Sequence, residues 1–251
     1  GITGTDVAKN AADIVLTDDN FATIVRAVRQ GRTVYQNITK AVEFLVSVNF
    51  AQIFTMITAV LLGWGGVLSA EQMLLINVLA DGIPGFFISR EPAESRIMNM
   101  PPLDRHASIW HAGLGKRVAI RTTTYVGLIL GIYALGRFTF TGGPILGTTL
   151  LFFVLAMGSA LDLFPIKSRR KMAWHTFTNN RALTLSIGAI LLALVAVGNI
   201  MPLRQALGLT SLTSWQWLLV FAASLLPMIV VETYKRRQHG HELQNWVVAE
   251  E

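Results

Sequence analysis

The chain has 251 residues, of which 52% are hydrophobic and only 14% charged, with a mean hydropathy of +0.50, a balance that excludes an ordinary water-soluble domain. Its formal charge of +6 raises nucleic acid as a partner, but the basic residues are distributed in a way that decides against it. With no cysteine, disulfides and thiolate metal sites are excluded as well.

Residues 1–40 are polar and carry Lys9, Arg26, Arg29, Arg32 and Lys40, so they do not read as a signal peptide, and the first membrane span is itself the insertion signal. The run GITGTDVAKNAADIVLTDDN predicts a short helix started near Thr5 or Asp6, a brief apolar strand over 13–16 and a turn over 18–20. Asn20 is the expected N-cap of a second helix, in which Phe21, Ile24, Val25 and Val28 recur at i, i+3, i+4 and i+7 and form one apolar face that needs a partner. A single helix-strand-helix piece cannot bury a core of its own, so it reads as the last unit of a larger α/β domain whose earlier strands are missing. The expectation is therefore a chain truncated at its N-terminus. Beyond Gly31 the segment 32–40 can run helically into the membrane as a stalk.

Hydrocarbon about 30 Å thick needs about 20 helical residues to cross it. Six stretches meet that length, at about 42–64, 68–89, 118–137, 145–165, 182–201 and 214–233. Of the 21 Lys and Arg, all but Arg137 and Arg204 fall on one side of these spans, which is the bias of cytoplasmic loops and predicts both termini in the cytoplasm. The basic excess is thus an orientation signal, and the partner it implies is membrane lipid. The organisation that follows is a soluble segment and stalk over 1–40, a six-helix membrane domain over 41–237 and a cytoplasmic tail over 238–251.

An ionisable or amide side chain in hydrocarbon is costly unless it faces the bundle interior or a watery cavity. Asn49 and Gln52 lie three apart in the first span and Asn77 and Asp81 four apart in the second, so each pair shares a helical face and two polar stripes could meet. Gly82 follows Asp81 and Pro84 stands two further on; a proline there removes a backbone donor and can free carbonyl oxygens near Ala80. Carbonyl, amide and carboxylate oxygens beside interrupted helix are what a hard cation needs. For the amides the competing reading is plain interhelical hydrogen bonding. Glu43, Asp162 and Glu232 stand near cytoplasmic span ends where they can reach water. Trp215, Trp217 and Tyr234 read as interfacial anchors, and His106, His111, His239 and His241 as solvated loop residues.

Two stretches resemble a known family. GITGTDVAKNAADIVLTDDNFATIVRAVRQGRTVYQNITKAVEFLVSVN resembles the end of the phosphorylation domain and the stalk of the cation-transporting P-type ATPases, particularly their calcium-pump-like branch. QMLLINVLADGIPGFFISREPAESRIMNMPP, the second span with its exit, resembles the same family's pattern of Asn, a small or Thr residue, Asp-Gly, Pro, and then Glu-Pro, Met and Pro-Pro, and SRRKMAW after the fourth span is a looser echo. The resemblance implies an all-α polytopic membrane protein of six helices, preceded by a helix-strand-helix remnant of a haloacid-dehalogenase-like α/β phosphorylation domain, in the plasma (inner) membrane. It also implies a translocase that couples ATP hydrolysis, through an aspartyl-phosphate, to movement of a cation, Ca2+ or similar. The ion ligands carried over are Asn49, Gln52, Asn77, Ala80 through its carbonyl, and Asp81.

This sequence departs from the two-site calcium pumps where Gln52 stands in place of a glutamate, where Ala80 stands at a position that is often a threonine, and where Arg169 stands roughly at the place of a further glutamate. Fewer oxygens fit one cation site. The Asp-Lys-Thr-Gly-Thr phosphorylation motif and the Gly-Asp-Gly-Val-Asn-Asp hinge do not occur in these residues, so the chain is not expected to hydrolyse ATP by itself. ATP and Mg2+ would enter only through a missing N-terminal catalytic half, the expected protein partner. A stand-alone passive carrier or channel, and a non-catalytic or regulatory remnant, remain as alternatives.

Overall fold

The computed structural model describes residues 1–94, 97–99, 110, 113–167 and 180–236. Arg169, the four histidines named above and the tail at 238–251 lie outside the described residues. The elements, in chain order, are α1 (Asp6–Ala11), α2 (Phe21–Leu61), α3 (Ala70–Leu75), a π-helical segment (Ile76–Gly82), α4 (Ile83–Ile88) and a 3-10 turn (Ile97–Asn99). Then follow α5 (Leu114–Ala134) with a π-helical end (Leu135–Thr139), α6 (Gly143–Lys167), α7 (Arg181–Asn199), the short α8 (Met201–Ala206) and α9 (Ser214–Ser224), whose span continues to Arg236. Six helical spans are long and apolar enough to cross a membrane, in the order expected from the sequence.

The first span is the exception in length. At 41 residues α2 is about 60 Å long, twice what hydrocarbon requires, and its polar first half is continuous with its apolar second half. Its start is capped as the sequence suggested: Asn20 Oδ1 accepts from the Ala22 amide at 2.9 Å. Thr5 caps α1 in the same way through Ala8, at 3.3 Å.

The strand expected over 13–16 does not form. Among the described residues there is no strand, because a strand needs a neighbour to satisfy its backbone and none is offered here. Ile14 and Val15 are left exposed, as are Phe21, Val25 and Val28 on the stalk. The helix-strand-helix remnant is therefore two helices joined by an irregular segment, tied by the Ile2 amide donating to Asp19 Oδ1 at 2.7 Å.

The bundle is organised around α6. Of its most apolar stretch 94% is buried, against 28–39% in the other five spans, which turn Leu, Ile and Phe side chains outward as lipid-facing residues should. Close approach is made by glycines. A Cβ on Gly136 would stand 2.6 Å from Gly147 Cα, so the end of α5 and the start of α6 touch backbone to backbone. A Cβ on Gly198 would collide with the Trp217 ring, which also lies 4.9 Å from the Phe153 ring. Trp217 is thus packed between α6 and α7 and is not the interfacial anchor expected; Trp215, 63% exposed, stays on the surface.

Candidate cation site

The site lies where the second span changes helix type. Residues Ile76–Gly82 widen into a π-helix, whose carbonyls bond five residues ahead rather than four, and the Ile83 amide closes the segment on Val78 O. The cause is local. Pro84 has no N–H to close on Ala80 O, and Gly82 lets the backbone pass Asn77 O, where a Cβ would stand at 3.1 Å. Instead of unwinding, the chain absorbs the missing donor in one wide turn.

On this turn Ala80 is fully buried and Asp81 is 1% exposed. Both Asp81 carboxylate oxygens are buried and accept no hydrogen bond from any described residue. The Ser159 hydroxyl of α6 lies beside Asp81 but donates to its own helix, to Ala156 O at 3.1 Å. A carboxylate buried without a donor is a large uncompensated desolvation unless a cation or proton meets it.

The two polar stripes do meet at one point. Gln52 Nε2 of α2 donates to Asn77 Oδ1 at 3.1 Å, joining the stalk-bearing helix to the π segment. Asn77 is otherwise on the exposed side of its helix, and the half-buried Asn49 donates back to Leu45 O at 2.8 Å, so the structure does not bring Asn49 to the others through its amide. Among the described residues no group of three His, Asp or Glu is gathered, so any cation here would rest on one carboxylate with carbonyl, amide and hydroxyl oxygens.

Two further groups were not foreseen. Thr55, one turn beyond Gln52 on α2, has a fully buried hydroxyl with no partner among the described residues, as has Tyr125 of α5. A hydroxyl at i+3 from Gln52 was a readable signal for Thr55; no spacing pointed to Tyr125.

Two of the three carboxylates expected to reach water do not, and the third, Glu232, is half-buried. Glu43, 7% exposed, and Asp162, 1% exposed, are buried, because arginines reach them: Arg117 Nε stands 2.9 Å and Arg121 Nε 3.1 Å from the two Glu43 oxygens, and Arg121 also pairs with Asp162. This joins α2, α5 and α6 through charge. A second polar layer lies past the end of α4, where Glu91 pairs with Lys167 at 3.4 Å and accepts from Asn180 at 3.0 Å, while Asn37 of α2 donates to Glu91 O at 2.8 Å. Burial pushes the Glu91 carboxyl above its usual range, and Asn180, Lys167 and Lys40 offset only part of that push.

A family profile described as "Cation transporting ATPase, C-terminus" matches residues 66–237. This chain belongs to that family, as a C-terminal membrane part of a P-type ATPase. A calcium-transporting ATPase of Bacillus cereus is 33% identical over 94% of the chain, which covers 28% of that relative. One of Lactococcus lactis is 31% identical over 92% of the chain and 26% of its own length. A P-type sodium-transporting ATPase of Toxoplasma gondii is 38% identical over 57% of the chain. The chain thus spans about a quarter of the length of the two bacterial relatives.

Proposed function

We propose that this chain is the ion-path part of an ATP-driven cation pump, with one cation site formed by Asp81, the Ala80 carbonyl, Asn77 and Gln52, and with Asn49 at its edge. The observation that carries the proposal is Asp81 itself, buried on a π turn with both oxygens unpartnered among the described residues. Calcium is the ion favoured by the names of the two bacterial relatives, and the single carboxylate supports one ion per site. Residues 1–40 act as stalk and phosphorylation-domain end, 41–237 as the transport domain, and both termini face the cytoplasm of the plasma membrane, on the side where all but two of the Lys and Arg collect. ATP and Mg2+ act through a catalytic half that these residues do not include.

The reading is tested by reconstituting the full-length pump and measuring which of Ca2+, Mn2+, Na+ and K+ stimulates ATP hydrolysis. Stimulation by Ca2+ is expected. Stimulation by none of them, or ATP-independent cation flux through the 251-residue chain alone, overturns the pump assignment.

A further inference from the structure

Three arginines line one groove between the first half of α2 and the segment that follows α4. The groove encloses about 630 Å3 and is walled by Arg26, Arg29, Thr33 and Asn37 on the α2 side and by Arg90 and Glu91 on the other. Small-molecule sites span about 300–1,000 Å3, so the space is of ligand size. Asn37 ties the two walls together, its Nδ2 donating to Ser89 O at 3.1 Å and to Glu91 O at 2.8 Å.

The charge of the groove is not balanced from within. Among the described residues none of Arg26, Arg29 and Arg90 forms an ion pair. Arg26 donates to the Thr23 hydroxyl at 2.9 Å and reaches a carboxylate, Asp18, only through it. Glu91, the one carboxylate in the walls, is 7% exposed and already takes Lys167 and Asn180. The neighbouring Lys40 and Arg32 are engaged too, with Glu94 at 2.8 Å and with Ile97 O at 2.9 Å. Arg90 lies over the Phe86 ring at 4.7 Å, a contact that occupies the face of the guanidinium and leaves its N–H edge for an oxyanion.

Two features choose the occupant. Arg90 stands two residues past the end of the second span, and Phe86 beneath it is an exposed residue of that span. On α2, Val34 lines the groove, and Ile38 and Leu45, at i+4 and i+11, carry its exposed apolar stripe into the first span. An anionic head with apolar chains therefore matches both the groove and the surface it opens onto. The exposed stripe of Phe21, Val25 and Val28, which asks for a protein partner, lies roughly 150° around α2 from the groove at 3.6 residues per turn, so covering it leaves the groove open.

We propose that this groove binds the phosphate of an anionic phospholipid, drawn from the leaflet on the side where the Lys and Arg collect, with its acyl chains along Phe86, Ile38 and Leu45. Guanidinium groups hold phosphate oxygens through charge-assisted N–H···O bonds, and basic pockets at the cytoplasmic ends of spans suit such headgroups. A phosphate held by Arg29 and Arg90 bridges α2 to the exit of the second span. Neither the cation site nor ATP is needed for this binding.

The test is the dissociation constant of dioleoyl phosphatidic acid for the full-length protein in dodecyl maltoside micelles, read by native mass spectrometry as the fraction carrying one lipid. Dioleoyl phosphatidylcholine and inorganic phosphate are run as the other two ligands. Phosphatidic acid is expected to bind about tenfold more tightly than either. Arg29→Gln and Arg90→Gln should each raise its dissociation constant about tenfold, since each removes one charge-assisted pair, and both side chains are exposed, so the fold is retained. Lys116→Gln removes an exposed charge at the start of α5, outside the groove, and should change the constant less than twofold. Equal weakening by Lys116→Gln, or none by Arg29→Gln and Arg90→Gln, overturns the site, because the lipid is then held by net charge or elsewhere. Phosphatidylcholine or inorganic phosphate bound as tightly as phosphatidic acid overturns the anionic lipid as occupant. The read-out uses no ATP and no transported cation, so its failure and the failure of the pump assignment are seen separately.

Discussion

Replacing Arg121 by Met removes one buried cation from between two buried carboxylates. Glu43 keeps Arg117, but Asp162, 1% exposed and with Oδ1 already unpartnered among the described residues, loses its guanidinium. Removing one partner of a buried pair costs about 3–5 kcal/mol, since the remaining charge is stranded in low dielectric. For a chain of this length that lowers the melting temperature by roughly 10 °C. Thermal unfolding of the 251-residue chain in detergent, followed by tryptophan fluorescence, reads the shift. The control is the double variant Arg121→Met, Asp162→Asn, which removes the stranded carboxylate together with its guanidinium, leaves Glu43 on Arg117, and should recover most of the loss. A drop below about 2 °C for Arg121→Met alone, near the 1 kcal/mol of an exposed pair, would show that these charges are solvated and that the three helices are not joined through them.

Three further outcomes follow from the geometry. Gly136→Ala forces a methyl to within 2.6 Å of Gly147 Cα, so the α5–α6 crossing must open; a loss of about 1–3 kcal/mol in the same unfolding assay is expected, and a neutral result would place the two backbones further apart. Gln52→Ala removes the 3.1 Å bond to Asn77 and should cost about 0.5–2 kcal/mol while weakening cation-dependent phosphorylation less than any change at Asp81. Glu91 has a folded pKa raised by burial, so the folded state binds its proton more tightly than the unfolded state does. Stability should fall as pH rises from the ordinary value of 4.5 through the raised one and recover on acidification. Glu91→Gln should abolish that slope, and an unchanged slope would assign it to another group.

Much of the fold was legible because lipid simplifies the problem. A span must be apolar for about 20 residues, and the sequence placed five of the six spans to within a few residues of those found, with the stalk running helically into the first. Asn20 was readable as a cap because its amide oxygen does local work. Gln52 and Asn77 were readable as a meeting point because each shares a helical face with another polar residue. What failed depended on distant partners. The strand over 13–16 needed a neighbour that the described chain does not offer, so a short apolar run did not make it a strand. Glu43 and Asp162 looked solvated since they sit near span ends; only the three-dimensional return of α5 brings Arg121 and Arg117 to them. Pro84 signalled a disturbed helix correctly, but whether the chain unwinds or widens into a π turn depends on packing against α6 that no local pattern encodes. Tyr125 carried no signal, since an aromatic residue at helical spacing looks like core until its hydroxyl is found without a partner.

The most direct measurement is cation-dependent phosphorylation of the full-length pump carrying Asp81→Asn, an isosteric change that removes one charge at the π turn. The account predicts that the aspartyl-phosphate forms from inorganic phosphate as in the unmodified pump, yet no longer forms from ATP at any Ca2+ concentration that saturates it. Phosphorylation from ATP with unaltered Ca2+ dependence would contradict the assignment of the cation site to Asp81.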